Sequence, residues 1–299
     1  MHVQNGTIWL DGEIADWDRA RIPLMSDALL RGLSVFDGLV ARRQDDGTLA
    51  LIGADRHLDR LARSCEVLGL PLEGGPSALL DGCRTAAAHE AGDDPDCEVY
   101  VRPMVVGAVL TPRAVTASVT VAAFRRQPTA PAPVALMTSA WRRPADDTLP
   151  PALKVVGNYQ LTRLARLEAT TAGYDDALVL NTAGRVAESA GAAVVQERGG
   201  RLTTPPSWEG CLDSVTVALL AELARAEGIE WAREPLLRTT VLGADGLALA
   251  GTLADVVPVS RLDHREYAAP APLLEQLGAL WAEASRGGKH AGLLETVTV

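Results

Sequence analysis

Basic charge and aromatic rings are both scarce in this sequence. Lys and Arg together number 28 against 38 Asp and Glu, which gives a formal net charge of −10. Aromatic residues make up 4% of the 299 positions. A chain this acidic has no basic stripe to neutralise phosphates, and it has few rings on which bases could stack. We therefore expect no nucleic-acid partner.

Paired cysteines, a targeting segment and long apolar runs are also missing. The four cysteines are scattered without a Cys-x-x-Cys pair, which indicates free thiols in a reducing compartment and no zinc site. The first residues do not place an apolar stretch behind basic residues, as a secretory signal would. No apolar run approaches the length of a membrane span. We expect a cytoplasmic protein with neither a membrane partner nor a metal.

The sequence predicts two domains of the α+β class. Hydrophobic residues make up 47% of the chain and charged residues 22%, an ordinary composition with ample material for a core. Three prolines in residues 127–133 mark a linker, because proline fits poorly inside regular elements. We therefore predict a smaller N-terminal domain at residues 1–126 and a larger domain at residues 134–299.

Hydrophobic periodicity places helices and strands in both predicted domains. Helices are predicted at residues 55–68, 77–91, 160–172, 213–227 and 274–285. Strands are predicted at residues 7–10, 13–14, 33–42, 49–52, 99–109, 115–123, 134–139, 177–180, 193–195 and 202–204. Two of the predicted hairpins turn at residues 11–12 and 111–113.

Lysine is nearly absent, and one of the two lysines lies in an informative run. Every basic residue except Lys154 and Lys289 is arginine, and Lys289 lies in a polar stretch near the end. Lys154 is followed by Asn158 and Tyr159, and the segments Gly-Arg-Val-Ala-Glu-Ser at 184–189 and Ala-Gly-Thr-Leu-Ala-Asp at 250–255 come later. In this order and spacing, the motifs resemble the fold-type IV family of pyridoxal 5′-phosphate (PLP) enzymes. The branched-chain amino acid aminotransferases are the most similar branch.

The resemblance implies a fold, a cofactor and a catalytic residue. The fold would be a smaller α/β N-terminal domain and a larger C-terminal domain with a pseudo-barrel. Lys154 would carry PLP as a Schiff base and shuttle a proton at the substrate α-carbon. Arginine cannot take this role because it stays protonated, so Lys154 has almost no competitor. Tyr159 would hydrogen-bond the cofactor's phenolic oxygen, the alternative being a tyrosine packed in the core.

Other residues match the family's cofactor contacts. Glu188 stands where the family places the carboxylate that holds the ring nitrogen protonated; taken alone, it would be a surface residue after a turn. Arg60, in a His-x-x-Arg-Leu run, would bind the phosphate. Gly210 and Cys211 would offer amides at a helix start, and Thr252 would add a hydroxyl. The alternative for these last three is an ordinary helix cap and a buried thiol.

The substrate side is implied by six further residues. Those that match or replace pocket residues of the branched-chain enzymes are Arg31, Phe36, Gly38, Tyr100, Arg102 and Leu253. Packing within a sheet is the alternative for Phe36, Gly38, Tyr100 and Arg102. Arg31 replaces a tyrosine of many relatives, so it could favour a substrate with a second carboxylate or form a salt bridge at an interface.

The chain departs from the family pattern at several positions. Cys211, Leu212 and Ala193 replace a threonine, an arginine and an asparagine that are common in relatives. The resemblance implies a homodimeric aminotransferase that moves an amino group between an apolar or branched-chain L-amino acid and a 2-oxo acid. Two alternatives remain: a lyase of the aminodeoxychorismate type, and a homologue that binds PLP but has lost turnover.

Overall fold

The computed structural model describes residues 6–94, 97–111, 114–127, 131–267 and 271–299. The chain divides into two compact units of nearly equal length. The first unit comprises residues 1–129, 153–157 and 285–299, and the second comprises residues 130–152 and 158–284. The predicted linker at 127–133 lies partly outside the described residues. Residues 1–5 also lie outside them, as do two residues of the predicted turn at 111–113.

The first unit contains an antiparallel sheet. Within the described ranges its strands are β1 (Thr7–Leu10), β2 (Glu13–Ala15), β3 (Ser34–Phe36), β4 (Leu39–Arg43), β5 (Leu49–Leu51), β6 (Glu98–Thr111), β7 (Ala114–Arg126) and, at the end of the chain, β17 (Val297–Thr298). Its helices are α1 (Asp27–Arg31), α2 (Ala54–Leu68) and α3 (Gly75–Ala91). The order across the sheet is β17-β5-β4-β6-β7-β1-β2, and β3 also pairs with β6.

Helices α2 and α3 supply the core of the first unit. Leu58 and Leu61 of α2 and Leu79 of α3 are fully buried with the inner side chains of the sheet. Gly69 caps the C-terminus of helix α2, and its positive φ of 65° is a conformation that glycine adopts without a Cβ penalty. The helices predicted at residues 55–68 and 77–91 are confirmed. They could be predicted because their apolar residues recur at the spacing of one helix face, and the sheet covers that face.

The prediction of one strand from residue 33 to residue 42 was wrong. The structure breaks that run into β3 and β4 at Asp37 and Gly38. The Asp37 carboxylate accepts a hydrogen bond from the Gly38 main-chain N–H at 2.7 Å, and it is fully buried against His57 and Arg60 of α2. A local side chain to main chain bond of this kind competes with the sheet ladder.

Two later segments return to the first unit, whereas the sequence placed both in the second domain. Val155 pairs with Val35 of β3, and Leu153 packs on the core of this unit. Strand β17 pairs with β5, so Val297 lies opposite Leu51. The unit to which these two segments belong is decided by main-chain pairing between residues far apart in the sequence. Hydrophobic periodicity is local and does not predict such pairing.

The second unit contains a mixed sheet. Within the described ranges its strands are β8 (Val134–Arg143), β9 (Asp176–Asn181), β10 (Val186–Ser189), β11 (Ala193–Arg198), β12 (Arg201–Thr204), β13 (Trp231–Arg233), β14 (Gly246–Gly251), β15 (Asp255–Leu262) and β16 (Arg265–Glu266). Its helices are α4 (Tyr159–Thr171), α5 (Val215–Ala226), α6 (Arg238–Leu242) and α7 (Pro272–Ala284). The order across the sheet is β10-β9-β8-β15-β14-β11-β12-β13, with β16 beside β15.

Strand β8 runs further than the sequence predicted. The predicted strand ended at Ser139, but the structure continues it to Arg143, which lies opposite Asn181 of β9 after a register shift. Helix α5 begins at Val215, with Ser214 as the N-cap accepting from Val217 N, and not at Asp213 as predicted. The α+β class is confirmed. In the described ranges, no helix is both long and apolar enough to traverse a bilayer.

Candidate functional site

Lys154 is fixed by its main chain in the first unit. Its carbonyl oxygen accepts a hydrogen bond from Phe36 N at 3.2 Å, and its own N–H donates to Ser64 Oγ at 3.3 Å. The Nζ atom lies 5.3 Å from the centre of the Phe36 ring. A partly buried amine held over an aromatic face by an anchored backbone has a defined place, which a covalent attachment point requires.

Tyr100 and Arg102 lie against the same phenylalanine. The Arg102 guanidinium carbon is 4.9 Å from the Phe36 ring centre and 5.5 Å from that of Tyr100. Arg102 Nε donates to the Tyr100 hydroxyl at 3.1 Å. The two residues are two apart on β6, so they lie on one face of the strand.

Gly38 makes room for the Tyr100 hydroxyl. A Cβ at Gly38 would lie 2.6 Å from that oxygen, closer than real Cβ contacts. The structure therefore brings Lys154, Phe36, Gly38, Tyr100 and Arg102 together. We call these five residues the lysine cluster.

A buried ion pair that the sequence did not reveal adjoins the lysine cluster. Asp37 binds Arg60 through two nitrogens, with Nε at 2.9 Å and Nη2 at 2.8 Å, and its Oδ1 lies 2.8 Å from His57 Nδ1. Burial works to raise the pKa of Asp37, but Arg60 and His57 together hold that pKa below its ordinary value. Burial lowers the pKa of His57 despite the adjacent carboxylate. Arg60, expected to bind phosphate, is thus oriented by a bidentate carboxylate.

Glu188 is the buried carboxylate of the second unit. It lies on β10, just after the turn at residues 182–185, and is 8% exposed. Arg143 Nη2 donates to its Oε1 at 2.7 Å, and Leu212 N donates to its Oε2 at 3.2 Å. Arg143 is a residue that the sequence did not single out. A carboxylate can accept about four hydrogen bonds, so both oxygens keep capacity for another donor.

The loop at residues 209–212 is fixed at several atoms. Gly210 adopts a φ of 89°, its N–H donates to Ser207 O at 3.0 Å, and its carbonyl accepts from Arg143 Nε at 3.0 Å. The Glu209 carboxylate is buried and accepts from Asn181 Nδ2 at 2.7 Å and Arg185 Nε at 2.5 Å. The loop therefore has a rigid main chain beside Glu188.

Cys211 is buried within this loop. Its Sγ lies 3.4 Å from the carbonyl oxygen of Pro206, and burial followed by the nearby Glu188 raises its pKa to about 12. It is therefore a neutral thiol at neutral pH and supplies no charge to a phosphate.

The remaining predicted residues lie elsewhere in their units. Tyr159 is the first residue of α4 and is 37% exposed, so it is not packed in the core. Thr252 and Leu253 form the tip of the β14–β15 hairpin, where Leu253 is exposed. Arg31 ends α1 and forms a salt bridge with Asp27 one turn earlier. That salt bridge lies within one helix, so both interpretations of Arg31 stay predictions.

These groups fit the chemistry that PLP requires. The first unit supplies an anchored primary amine at Lys154 and an oriented guanidinium at Arg60. The second unit supplies a buried carboxylate, Glu188, with both oxygens oriented by N–H donors. The aldehyde of PLP reacts with an amine, its phosphate binds a cation, and its pyridine nitrogen pairs with a carboxylate.

Comparison with known proteins gives the same result. Residues 34–262 match the profile of the family described as amino-transferase class IV. The branched-chain-amino-acid aminotransferase of Salmonella typhimurium is 31% identical over 266 residues, which cover 86% of this chain and 84% of that protein. A putative branched-chain-amino-acid aminotransferase of Methanocaldococcus jannaschii is 31% identical over 265 residues, which cover 86% and 88%.

Solved structures extend the similarity to the fold. The branched-chain amino acid aminotransferase of Thermobaculum terrenum in its PLP form superposes with a TM-score of 0.90 at 25% identity, covering 99% of each chain. The branched-chain aminotransferase of Thermoproteus uzoniensis with norvaline gives a TM-score of 0.90 at 26% identity, covering 98% of this chain and 99% of that one. The prediction of fold type IV is confirmed. The chain belongs to the class IV aminotransferase family and is a PLP-dependent transaminase.

Proposed function

We propose that this transaminase takes an apolar or branched-chain L-amino acid as amino donor and a 2-oxo acid as acceptor. The observation that carries the proposal is the anchored Lys154 amine beside Phe36. The relatives and solved structures reported above are named branched-chain aminotransferases, which supports the choice of donor. The enzyme works in the cytoplasm and has no nucleic-acid partner.

Each cofactor residue has a separate task. When bound, PLP supplies an aldehyde that accepts the amino group and a ring that withdraws electrons from the substrate α-carbon. Lys154 holds the cofactor through Nζ and moves a proton from the substrate α-carbon. Glu188 holds the proton on the ring nitrogen. An opposite charge about 4 Å away is worth roughly 4 kcal/mol at an effective dielectric near 20.

The other cofactor residues bind the phosphate and the phenolic oxygen. Arg60 binds the phosphate as a cation whose plane Asp37 fixes. The Cys211 main-chain N–H and the Thr252 hydroxyl add neutral donors to the phosphate, whereas the Gly210 N–H is already donated to Ser207 O at 3.0 Å. Tyr159 donates to the phenolic oxygen.

The substrate side combines an apolar surface with cations. The rings of Phe36 and Tyr100 offer apolar surface to an aliphatic side chain, and Gly38 lets the Tyr100 ring take its place because it has no Cβ. Arg102, stacked on both rings, keeps a charge near them for a carboxylate. Leu253 contributes exposed apolar surface, and Arg31 favours a substrate with a second carboxylate.

The first unit also has a surface that suits a homodimer. An unusually apolar segment precedes and includes helix α1. Its exposed side chains are Ile22, Leu24, Met25, Leu29 and Leu30, each more than half accessible. Contiguous apolar surface of this kind marks an interaction site, and a second copy of the chain is the occupant we propose.

A donor screen tests the function. Purified holoenzyme is mixed with single amino acids, and the absorbance of the bound cofactor is followed without an acceptor. L-leucine, L-isoleucine and L-valine should change the spectrum in a single turnover, and D-leucine should not. Adding 2-oxoglutarate or pyruvate should restore the spectrum. Release of pyruvate from aminodeoxychorismate without amino transfer would identify a lyase instead.

Substitution of each lysine provides the matched control. Lys154→Ala should abolish the half-reaction while Lys289→Ala leaves it unchanged, because one amine provides both attachment and proton transfer. Borohydride reduction and peptide mapping should place the pyridoxyl group on Lys154. A label on Lys289 would overturn the assignment.

A further inference from the structure

Arg143 connects two parts of the cofactor machinery in the second unit. It is the last residue of β8 and is 4% exposed. Its Nη2 donates to Glu188 Oε1 at 2.7 Å, and its Nε donates to the carbonyl oxygen of Gly210 at 3.0 Å. One planar guanidinium therefore sets the position of the carboxylate and of the loop at residues 209–212 at the same time.

The loop in turn binds the other oxygen of the carboxylate. Leu212 N donates to Glu188 Oε2 at 3.2 Å, which closes a circuit from Arg143 through Gly210 and Leu212 back to Glu188. Burying a charge is costly unless it is paired, and removing one partner leaves the other charge uncompensated. Without Arg143, the buried Glu188 would take up a proton more readily.

Glu188 can stabilise a proton on the cofactor's ring nitrogen only while its own carboxylate is ionised. A neutral Glu188 would have no charge to stabilise a protonated ring nitrogen, so the electron-withdrawing form of the cofactor would be lost. We propose that Arg143 is the positioning residue that keeps Glu188 ionised and aligned, and that it sets the lower pH limit of the half-reaction. This inference rests on the proposed role of Glu188.

The other charged groups near this circuit are already paired within the second unit. Glu209 is bound by Arg185, and Asp213 by Arg233. The Cys211 thiol is neutral because its pKa is raised to about 12, first by burial and then by Glu188. In the described part of this unit, Arg143 is therefore the cation in direct contact with Glu188.

The experiment measures the half-reaction rate against pH under saturating L-leucine, with full-length holoenzymes. In Arg143→Gln the acid limb should move to higher pH, because the carboxylate loses the opposite charge that stabilises its ionised form. Arg143→Lys should leave the limb near its wild-type position while weakening PLP affinity, because lysine keeps the charge but not the fork. Arg142→Gln is the matched control, since Arg142 is exposed and binds the main-chain oxygens of Ser139 and Trp141.

A double variant covers the case in which Arg143→Gln leaves an unpaired buried charge and folds poorly. Glu188→Gln with Arg143→Gln removes both charges, so it should fold. Its half-reaction should be no slower than that of Glu188→Gln alone, because Arg143 acts through Glu188. Affinity of each apoprotein for PLP, measured by fluorescence titration, supplies a readout independent of turnover.

The outcomes separate the two hypotheses. If Glu188→Gln leaves the rate unchanged, the proposed role of Glu188 is wrong and this inference falls with it. If Glu188→Gln is slow but Arg143→Gln keeps the wild-type acid limb, the inference alone is overturned. The same holds if the two substitutions are additive, since Arg143 would then act independently of Glu188.

Discussion

Gly38 shows how a single missing methyl group shapes the lysine cluster. Tyr100 is 4% exposed and its hydroxyl accepts a hydrogen bond from Arg102, so it can move away from a new side chain only if Arg102 moves with it. A Cβ at Gly38 would lie 2.6 Å from the hydroxyl oxygen and 2.9 Å from a ring carbon. The position therefore has to be glycine for reasons of space, and not for its backbone angles.

Gly38→Ala should destabilise the protein by about 1–3 kcal/mol, the usual cost of inserting a methyl group into a packed region. It should also raise the KM for L-leucine, because Tyr100 and Arg102 must shift together. Urea unfolding and steady-state kinetics measure the two effects. Gly292→Ala is the control, since a Cβ there meets no atom within 4 Å. Equal stabilities of the two variants would contradict this account of the packing.

The residues predicted from the sequence share a property that the missed ones lack. Lys154, Phe36, Gly38, Tyr100 and Arg102 stand in short runs that resemble family motifs, and the structure gathers them. By contrast, Asp37 is an acidic residue inside an apolar run. Nothing local predicts the buried arginine that stabilises it.

At the scale of elements, the buried contacts of Asp37 with His57 and Arg60 attach helix α2 to the break between β3 and β4. His57 and Arg60 lie one turn apart on α2 and both reach the same carboxylate. Asp37 and His57 both have pKa values below their ordinary ones, 3.8 and 6.5, so both are harder to protonate in the folded state than in the unfolded chain. Folded-state stability is therefore lost as the pH falls.

The free energy of unfolding should decline in two stages on acidification. The first stage begins near pH 6.5, where His57 of the unfolded chain takes up a proton, and the second begins near pH 3.8 with Asp37. Each stage has a slope of up to about 1.4 kcal/mol per pH unit for one proton. Urea unfolding from pH 8 to pH 4 measures the first stage and the onset of the second.

His57→Asn should remove the first stage, because the amide does not titrate. His264→Asn is the control, since His264 is exposed in the turn between β15 and β16. A first stage that persists in His57→Asn, or that disappears in His264→Asn, would show that another group titrates.

Strand ends were harder to predict than strand centres. Periodicity located β8, but the predicted strand stopped at Ser139, and Arg143 lies beyond it. Its partners Glu188 and Gly210 come from distant parts of the sequence, so no local pattern connects them. Helices α2 and α3 were predicted well because their amphipathic spacing is local information.

At the scale of the whole molecule, the exposed apolar segment around α1 predicts a dimer. Leu24 and Met25 are 76% and 74% exposed, the highest values in that segment. The double variant Leu24→Glu with Met25→Glu should be monomeric at micromolar concentration, because charge in a buried apolar patch opposes association. Sedimentation equilibrium measures the mass directly.

Val67→Glu is the control for that experiment. Val67 is a 65% exposed apolar residue on α2, outside the segment, so its substitution should leave the dimer intact. A wild-type monomer, or a double variant that remains dimeric, would contradict the proposed interface.

The return of the C-terminal segment to the first unit has a consequence for synthesis on the ribosome. Strand β17 covers the edge of β5, and Arg42 binds Ser285 Oγ at 2.8 Å. The unit whose first residues are translated before the second unit is therefore completed by residues that are translated after it. At about 5–20 residues per second, the ribosome needs on the order of ten seconds or more to add residues 130–298. During that interval β17 is not available to the β5 edge, so this sheet is completed only after residues 297–298 have been translated.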